Sequence, residues 1–453
     1  MSTVSPASPP ASSVISPRES KTACRLPPGP PLPPRLQELL LKTQPLRMLE
    51  ACRRRYGDAF TLRPGGPTRV VVSHPELIRA VFTAPPEVAR AGESNVALMP
   101  IFGSRSILLS DGDDHLRKRR LLVGPFHARR IEAAKSAVER IADEHVASWP
   151  RGEVFKLHER LRALSFDVLT RVIFGLDDRR MREDVALAFD RLMRASTPPS
   201  RRQLLYRLSG RSPWDAFWTA KAEAERLLAE RIAAVRARDG HGDGDGDASI
   251  LDLLAAARDE NGRPMSDDEL RDELTTLIVA GHESTASTLA WLFHFVLRDH
   301  RLYAELRSES AGGDTPRLDA AIAEAQRLGP VIPWMGRALA EPFAVRDWVV
   351  PAGMLVVASA YLVHRQPDVY DDPLRFRPDR FRDGNTFGYA FIPFGGGPRR
   401  CLGAGFAMLE VRTIARTVLR GVDLRSARRR PARPERRGPI YAPRGGVPVR
   451  VVA

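Results

Sequence analysis

Cys401 stands in Phe394-Gly-Gly-Gly-Pro-Arg-Arg-Cys401-Leu-Gly403, a glycine-rich loop that runs straight into a helical pattern from Ala404 to Leu419. Glycines let a backbone turn tightly and aim its amide N–H groups inward. Those donors, with the helix N-terminus, favour thiolate over thiol. A thiolate so placed can serve as a nucleophile or as a metal ligand. A nucleophile needs a neighbouring base, typically His, and spacing brings none of the ten histidines to this loop. Three other groupings carry chemistry. Ala280-Gly-His-Glu283-Ser284-Thr285 sets an acid beside two hydroxyls, a combination that can pass protons. His115 and Arg119, four residues apart, put two cationic groups on one helical face. Glu324 and Arg327, three apart, put acid and base together in the same way. Taken singly, the last two read as ordinary surface charge, and His282 reads as a packing residue.

The acid and hydroxyls lie midway along the most regular helix. Ser266-Asp-Asp-Glu269 forms a capping box after Pro264. The apolar pattern continues through Leu270, Leu274, Leu277, Ile278, Leu289, Leu292 and Val296 to near Arg298. About 32 residues span roughly 48 Å, enough to cross a domain. Gly281 removes a side chain where a ligand could come close, and hydroxyls here can bond back to helix carbonyls. Residues 75 to 300 are helical in pattern almost throughout. Leu36 to Tyr56 is helical too, with a break at Pro45. Strands are expected at Phe60–Leu62, Arg69–Val72, Phe343–Val350, Leu355–Ser359 and Val447–Val452. Asp239 to Asp247 alternates acids and glycines but lacks the glycine and glutamate of a calcium loop, so it reads as a flexible connection. Residues 1–34, rich in Ser, Ala and Pro, read as a flexible tail ending in polyproline. Residues 35–453 read as one domain, mainly α with minor β.

Composition narrows the function classes. The chain has 453 residues and a formal charge of +15, from 70 basic and 55 acidic residues. Acids are interspersed with arginines through most of it, which argues against nucleic acid as a partner. Three cysteines without a CxxC exclude a disulfide scaffold, an iron–sulfur cluster and a zinc ribbon. No run approaches the ~18 apolar residues of a membrane helix, and the N-terminus lacks a signal-peptide pattern. No transmembrane segment and a cytoplasmic, reducing location are expected.

The motifs in order resemble the cytochrome P450 superfamily of bacterial type. Phe394, Gly397, Arg399, Cys401 and Gly403 match its signature FxxGxRxCxG. Glu324-Ala-Gln-Arg327 matches ExxR, and Phe376-Arg-Pro-Asp-Arg380-Phe381 resembles the downstream segment whose arginine joins that pair. Ala280 to Thr285 resembles the oxygen-activating motif, and His115 with Arg119 matches the helix that donates to heme propionates. The resemblance implies the cytochrome P450 fold, with heme b (iron protoporphyrin IX) between the long helix and the Cys-loop helix. It implies Cys401 as axial ligand of the iron and Phe394 near the sulfur. His115, Arg119, Arg337 and Arg399 would meet the propionates. Glu283 with Ser284 or Thr285 would deliver protons; the family most often has Thr where Ser284 stands.

The implied activity is a heme-thiolate monooxygenase inserting one oxygen atom from O2 into a small lipophilic substrate. Electrons would come from a separate ferredoxin or flavodoxin with its reductase, because no dinucleotide fingerprint follows a strand. Arg117, Arg119, Arg120 and Arg400 would form a basic face that steers an acidic carrier. Substrate contacts are expected from residues 95–106, 276–280 and 331–334, with Val96, Leu98, Phe102, Ile332 and Trp334 making the site apolar. A heme-thiolate peroxygenase or isomerase would use the same cysteine loop without a carrier. A basic nucleic-acid-binding protein is the remote alternative, and four motifs in order argue against it.

Overall fold

Prolines open the first two helices, where a missing N–H costs nothing. Helix α1 spans Pro34–Thr43 and α2 spans Pro45–Tyr56. The computed structural model describes residues 25–176, 178–196, 212, 214–237, 249–313, 315–382 and 387–452. Residues 1–24 and the Asp239–Asp247 connection lie outside the described residues. The end of the expected tail is ordered: Pro27–Gly29 lies against the first strand, and Pro30, Leu32 and Pro33 accept hydrogen bonds from α1. Thr61 donates its N–H to Pro28 O at 2.9 Å and its hydroxyl to Pro27 O at 2.6 Å. A Cβ on Gly29 would lie 2.0 Å from Thr61 O.

The strands form a five-stranded sheet in the order β1-β2-β8-β5-β3. Its members are β1 (Ala59–Leu62), β2 (Arg69–Val72), β3 (Ala89–Arg90), β5 (Met335–Leu339) and β8 (Leu355–Ala358). β2 and β8 are parallel, Val70 opposite Val356, and the other pairs are antiparallel. The expected strand over 343–350 is two: β6 (Phe343–Val345) and β7 (Trp348–Val350) form a hairpin. Arg346, at φ 52°, makes the reversal. β4 (Val154–Lys156), β9 (Asp423–Ser426) and β12 (Pro448–Val452) form a second sheet, and β10 (Pro434–Arg437) pairs with β11 (Ile440–Pro443).

Helices make the rest. In chain order they include α3 (Pro75–Thr83), α4 (Gly112–Val123), α5 (Lys135–Ala147), α6 (Leu157–Val168), α7 (Arg179–Ala195) and α8 (Asp215–Arg236). Then come α9 (Asp267–Val296), α10 (His300–Ala311), α11 (Pro316–Leu328) and α12 (Ala404–Gly421). The capping box of α9 is formed in full: Glu269 N–H donates to Ser266 Oγ at 3.2 Å, and Ser266 N–H to Glu269 Oε2 at 2.9 Å. This helix is buried nearly all round, as expected of a central helix. It packs on α6 and α12 within the large helical core, and a smaller apolar cluster underlies the five-stranded sheet. Gly281 also serves this packing. A Cβ there would lie 2.8 Å from Leu169, in the π-helical turn Leu169–Ile173 that extends α6. Among the described residues, no helix is long and apolar enough to cross a membrane.

Candidate active site

The cysteine loop is fixed by backbone constraints. Gly397 has φ +63°, and a Cβ on it would lie 2.0 Å from Phe82 O on α3. Any larger residue would be strained in conformation and in contact. Cys401 N–H closes the loop onto Phe394 O at 2.9 Å, and α12 starts three residues later. Solvent reaches Cys401 although protein crowds it on most sides. That crowding pushes its thiol up; the Gly403 N–H, Arg119 and Arg400 pull it down.

Cations gather on the same side. His115 is buried on α4, and burial holds its imidazole down at about 4, with Arg399 and Arg119 adding to the effect. Arg337, on β5, is buried against the Phe82 ring at 5.2 Å and pushed down to about 10, first by burial and then by Arg399. Arg119 is lowered chiefly by burial and drawn the other way by Cys401. Among the described residues, neither Arg119 nor Arg337 pairs with a carboxylate. The single acid in this cluster is Asp111, which sequence reasoning missed. Its Oδ1 accepts from Arg399 at 2.6 Å, and its two oxygens accept the N–H groups of Gly92 and Glu93, each at 2.9 Å. Four basic groups held together with one carboxylate form a site for a dianion. Arg117 and Arg120 do not add to an open basic face: Arg117 pairs with Glu269, and Arg120 with Glu260 at 2.6 Å.

Along the middle of α9, Leu277, Ala280, Gly281 and Ser284 are open while their neighbours are buried. Their spacing of three and four residues defines one stripe. The structure thereby separates the two candidate alcohols. Ser284 lies on the open stripe, its hydroxyl donating back to Ala280 O at 2.6 Å. Thr285 is buried and hydrogen-bonded to Glu410 of α12. Glu410 also accepts from Ser165 at 2.7 Å, and burial pushes its carboxyl up to about 8. It was legible only as a lone acid in the apolar run Ala407-Met-Leu-Glu-Val411.

Glu283 is buried in a cage. Arg162 of α6 bonds its Oε2; Arg437 of β10 stands 3.4 Å and His158 3.6 Å from Oε1. Oε1 itself accepts no hydrogen bond among the described residues. A cavity of about 650 Å³ between α5, α6 and α7 has Arg162, Asp190 and His282 in its wall, so it reaches the back of this cage. His282 is buried, bonded through Nδ1 to Ile278 O and edge-on to Phe166, as a packing residue. Glu324 and Arg327 are fully buried and doubly bonded at 2.7 Å, and Arg380 reaches Glu324 at 3.1 Å. Phe102, expected at the substrate site, instead packs in the helical core, and Trp334 packs against Tyr441.

Comparison with known proteins follows the same lines. The family model described as Cytochrome P450 matches residues 27–443, and the chain belongs to that family. The protein named "Putative cytochrome P450 135B1" of Mycobacterium tuberculosis (strain H37Rv) is 36% identical over 435 residues, 94% of this chain and 92% of its own. "Putative cytochrome P450 137" of the same strain is 35% identical over 411 residues, 89% of this chain and 85% of its own. Retinoic acid-bound cyanobacterial CYP120A1 superposes with a TM-score of 0.81 at 23% identity, covering 95% of this chain and 99% of that one. The fold is that of a cytochrome P450, and the protein is a heme-thiolate monooxygenase carrying heme b. The residues present fit that group, because the dianion site of His115, Arg119, Arg337 and Arg399 suits two propionates and the Cys401 thiol is accessible beside it.

Proposed function

We propose that Cys401 supplies the axial thiolate and that His115, Arg119, Arg337 and Arg399 hold the propionates. The observation that carries this is the crowding of those four basic groups around a single acid, Asp111. Heme, when bound, supplies the iron at which dioxygen is activated. The protein's own part is to shape the site and to bring protons. Ser284 is the working alcohol in this reading, since it lies on the open stripe of α9 and Thr285 does not. Glu283 is the acid behind it, with one carboxylate oxygen that accepts no hydrogen bond among the described residues.

Leu277 and Ala280 on the stripe, with the apolar Val96, Leu98 and Ile332 in the segments expected to contact substrate, favour a small lipophilic substrate. Electrons come from a separate ferredoxin or flavodoxin with its reductase. The defining test is the carbon monoxide difference spectrum of the reduced protein. A strongly red-shifted Soret band, abolished in Cys401→Ala, is expected. An unchanged band in that variant, or an imidazole-like band in the wild type, would overturn the ligand assignment.

A further inference from the structure

The segment Gly103–Ser110, leading into α4, has no strand or helix, yet its backbone is held almost entirely by side chains. Three come from adjacent positions near the start of α9. Asp272 Oδ2 accepts the Arg105 N–H at 3.0 Å, Glu273 Oε1 accepts the Ile107 N–H at 2.7 Å, and Thr276 and Ser106 share a hydroxyl–hydroxyl bond of 2.7 Å. Lys118 of α4 donates to Arg105 O and Ser110 Oγ, each at 2.7 Å. Arg399 of the cysteine loop donates to Ile107 O at 3.1 Å. Asp272, Glu273, Thr276 and Lys118 are all buried. Gly103, at φ +83°, rides so close to the Asp272 carboxylate that a Cβ would lie 2.1 Å from Oδ2.

We propose that Asp272, Glu273 and Thr276 are positioning residues that dock Gly103–Ser110 onto α9, fixing one wall of the substrate site, and that the dock loosens when Glu273 loses its proton. The substrate-wall clause rests on the functional reading above; the docking itself does not. An ionised Glu273 would be favoured by the Ile107 N–H that it accepts and by Lys118 as counter-charge, and opposed by burial, by Asp272 on its own helix and by Asp114 on α4. Lys118 is already committed to Asp114 at 2.8 Å and to the loop. Arg105 in the loop is turned away, 3.4 Å from Asp268, and Arg271 bonds Asp272 and Asp268. Burial therefore dominates and pushes the docked Glu273 up to about 8, from 4.5 for an ordinary glutamate. Between those values the docked state holds a proton that the released state does not, so each pH unit favours release by up to about tenfold.

The test is amide hydrogen exchange of the purified protein over Arg105–Ile107, corrected for intrinsic rates, from about pH 6 to pH 8. In the wild type, protection is expected to fall by about tenfold per unit. Glu273→Gln keeps the acceptor and abolishes the slope. Thr276→Val lowers protection at every pH and leaves the slope intact. A flat wild-type profile, or a slope that survives in Glu273→Gln, would overturn the proposal; the wild-type profile decides even if that variant fails to fold. The substrate-wall reading fails separately if Leu108→Trp, within the docked segment and partly buried, leaves the ligand-induced Soret shifts of a lipophilic panel unchanged.

Discussion

Replacing Glu324 with Ala is expected to be among the costliest single changes outside the heme contacts. Glu324 and Arg327 are both fully buried, and Glu324 accepts four bonds: two from Arg327 at 2.7 Å, one from Arg380 at 3.1 Å and one from the Arg377 N–H at 2.8 Å. Without the carboxylate, Arg327 keeps hydrogen bonds to the carbonyls of His364, Pro373 and Arg375 and its place over the Tyr370 ring at 4.8 Å, none of which supplies a counter-charge. Breaking a buried pair by removing one member costs about 3–5 kcal/mol. Set against a typical total of about 5–15 kcal/mol, that is enough to bring much of the population near unfolding. The assay is urea unfolding followed by far-UV circular dichroism, with an unchanged slope confirming a change in stability alone. Glu324→Ala combined with Arg327→Leu removes both charges and should cost less than the two single losses added. A Glu324→Ala loss below about 1 kcal/mol, or single losses that add to within about 0.5 kcal/mol, would refute the argument that the network is held by mutual charge compensation.

Ser284→Ala is expected to leave stability unchanged and lower product formed per O2 consumed. Thr285→Ala, which strips a hydroxyl from buried Glu410, should instead cost about 1–3 kcal/mol in unfolding with little effect on that ratio; the reverse pattern would exchange their roles. Stability should also peak near pH 6.5. His115 and His294 are held at about 4 and His158 and His364 at about 3, chiefly by burial, so their neutral forms stabilise the fold above 6.5 and that contribution is lost as pH falls toward those values. Glu273 and Glu410, pushed up to about 8, act oppositely: their neutral forms suit the folded state, and stability is lost as pH rises from 4.5 to about 8. Buried His282, lowered by burial in the same way, adds to those four against the two glutamates below 6.5, and between 6.5 and about 8 only the glutamates act; unfolding midpoints measured across pH 5–8 on heme-free protein check this.

Local signals that depend on neighbours in sequence were legible. The Ser266 capping box, the Pro45 break and the helix after Cys401 need only a few adjacent residues, and the structure carries all three. The order of the motifs was enough to name the family. What escaped was set by partners far along the chain. Met335–Leu339 has weak strand propensity and becomes a strand because β8 and β3 flank it. Pro434–Arg437 shows no pattern of its own, yet Arg437 stands 3.4 Å from the Glu283 carboxylate, its partner from far along the chain. The motif around Gly281 pointed only to a ligand, and its second use, clearing Leu169 of the neighbouring helix, depends on a residue far away in sequence. Nothing in sequence distinguishes Ser284 from Thr285; their side chains diverge by one helical step, onto an open stripe and into the core.

The second sheet bears on how the molecule is made. β4 pairs with β12, Val154 opposite Arg450, and β12 pairs in turn with β9. During synthesis the edge of β4 therefore stays bare while about 300 further residues emerge, and among the described residues no earlier strand substitutes for its partner. An unpaired edge is a template for wrong pairing, and such long-range closure is slow. β4 is only three residues long, with Lys156 at its end, and both traits blunt an exposed edge. The short strand is thus suited to waiting on the nascent chain without recruiting another copy.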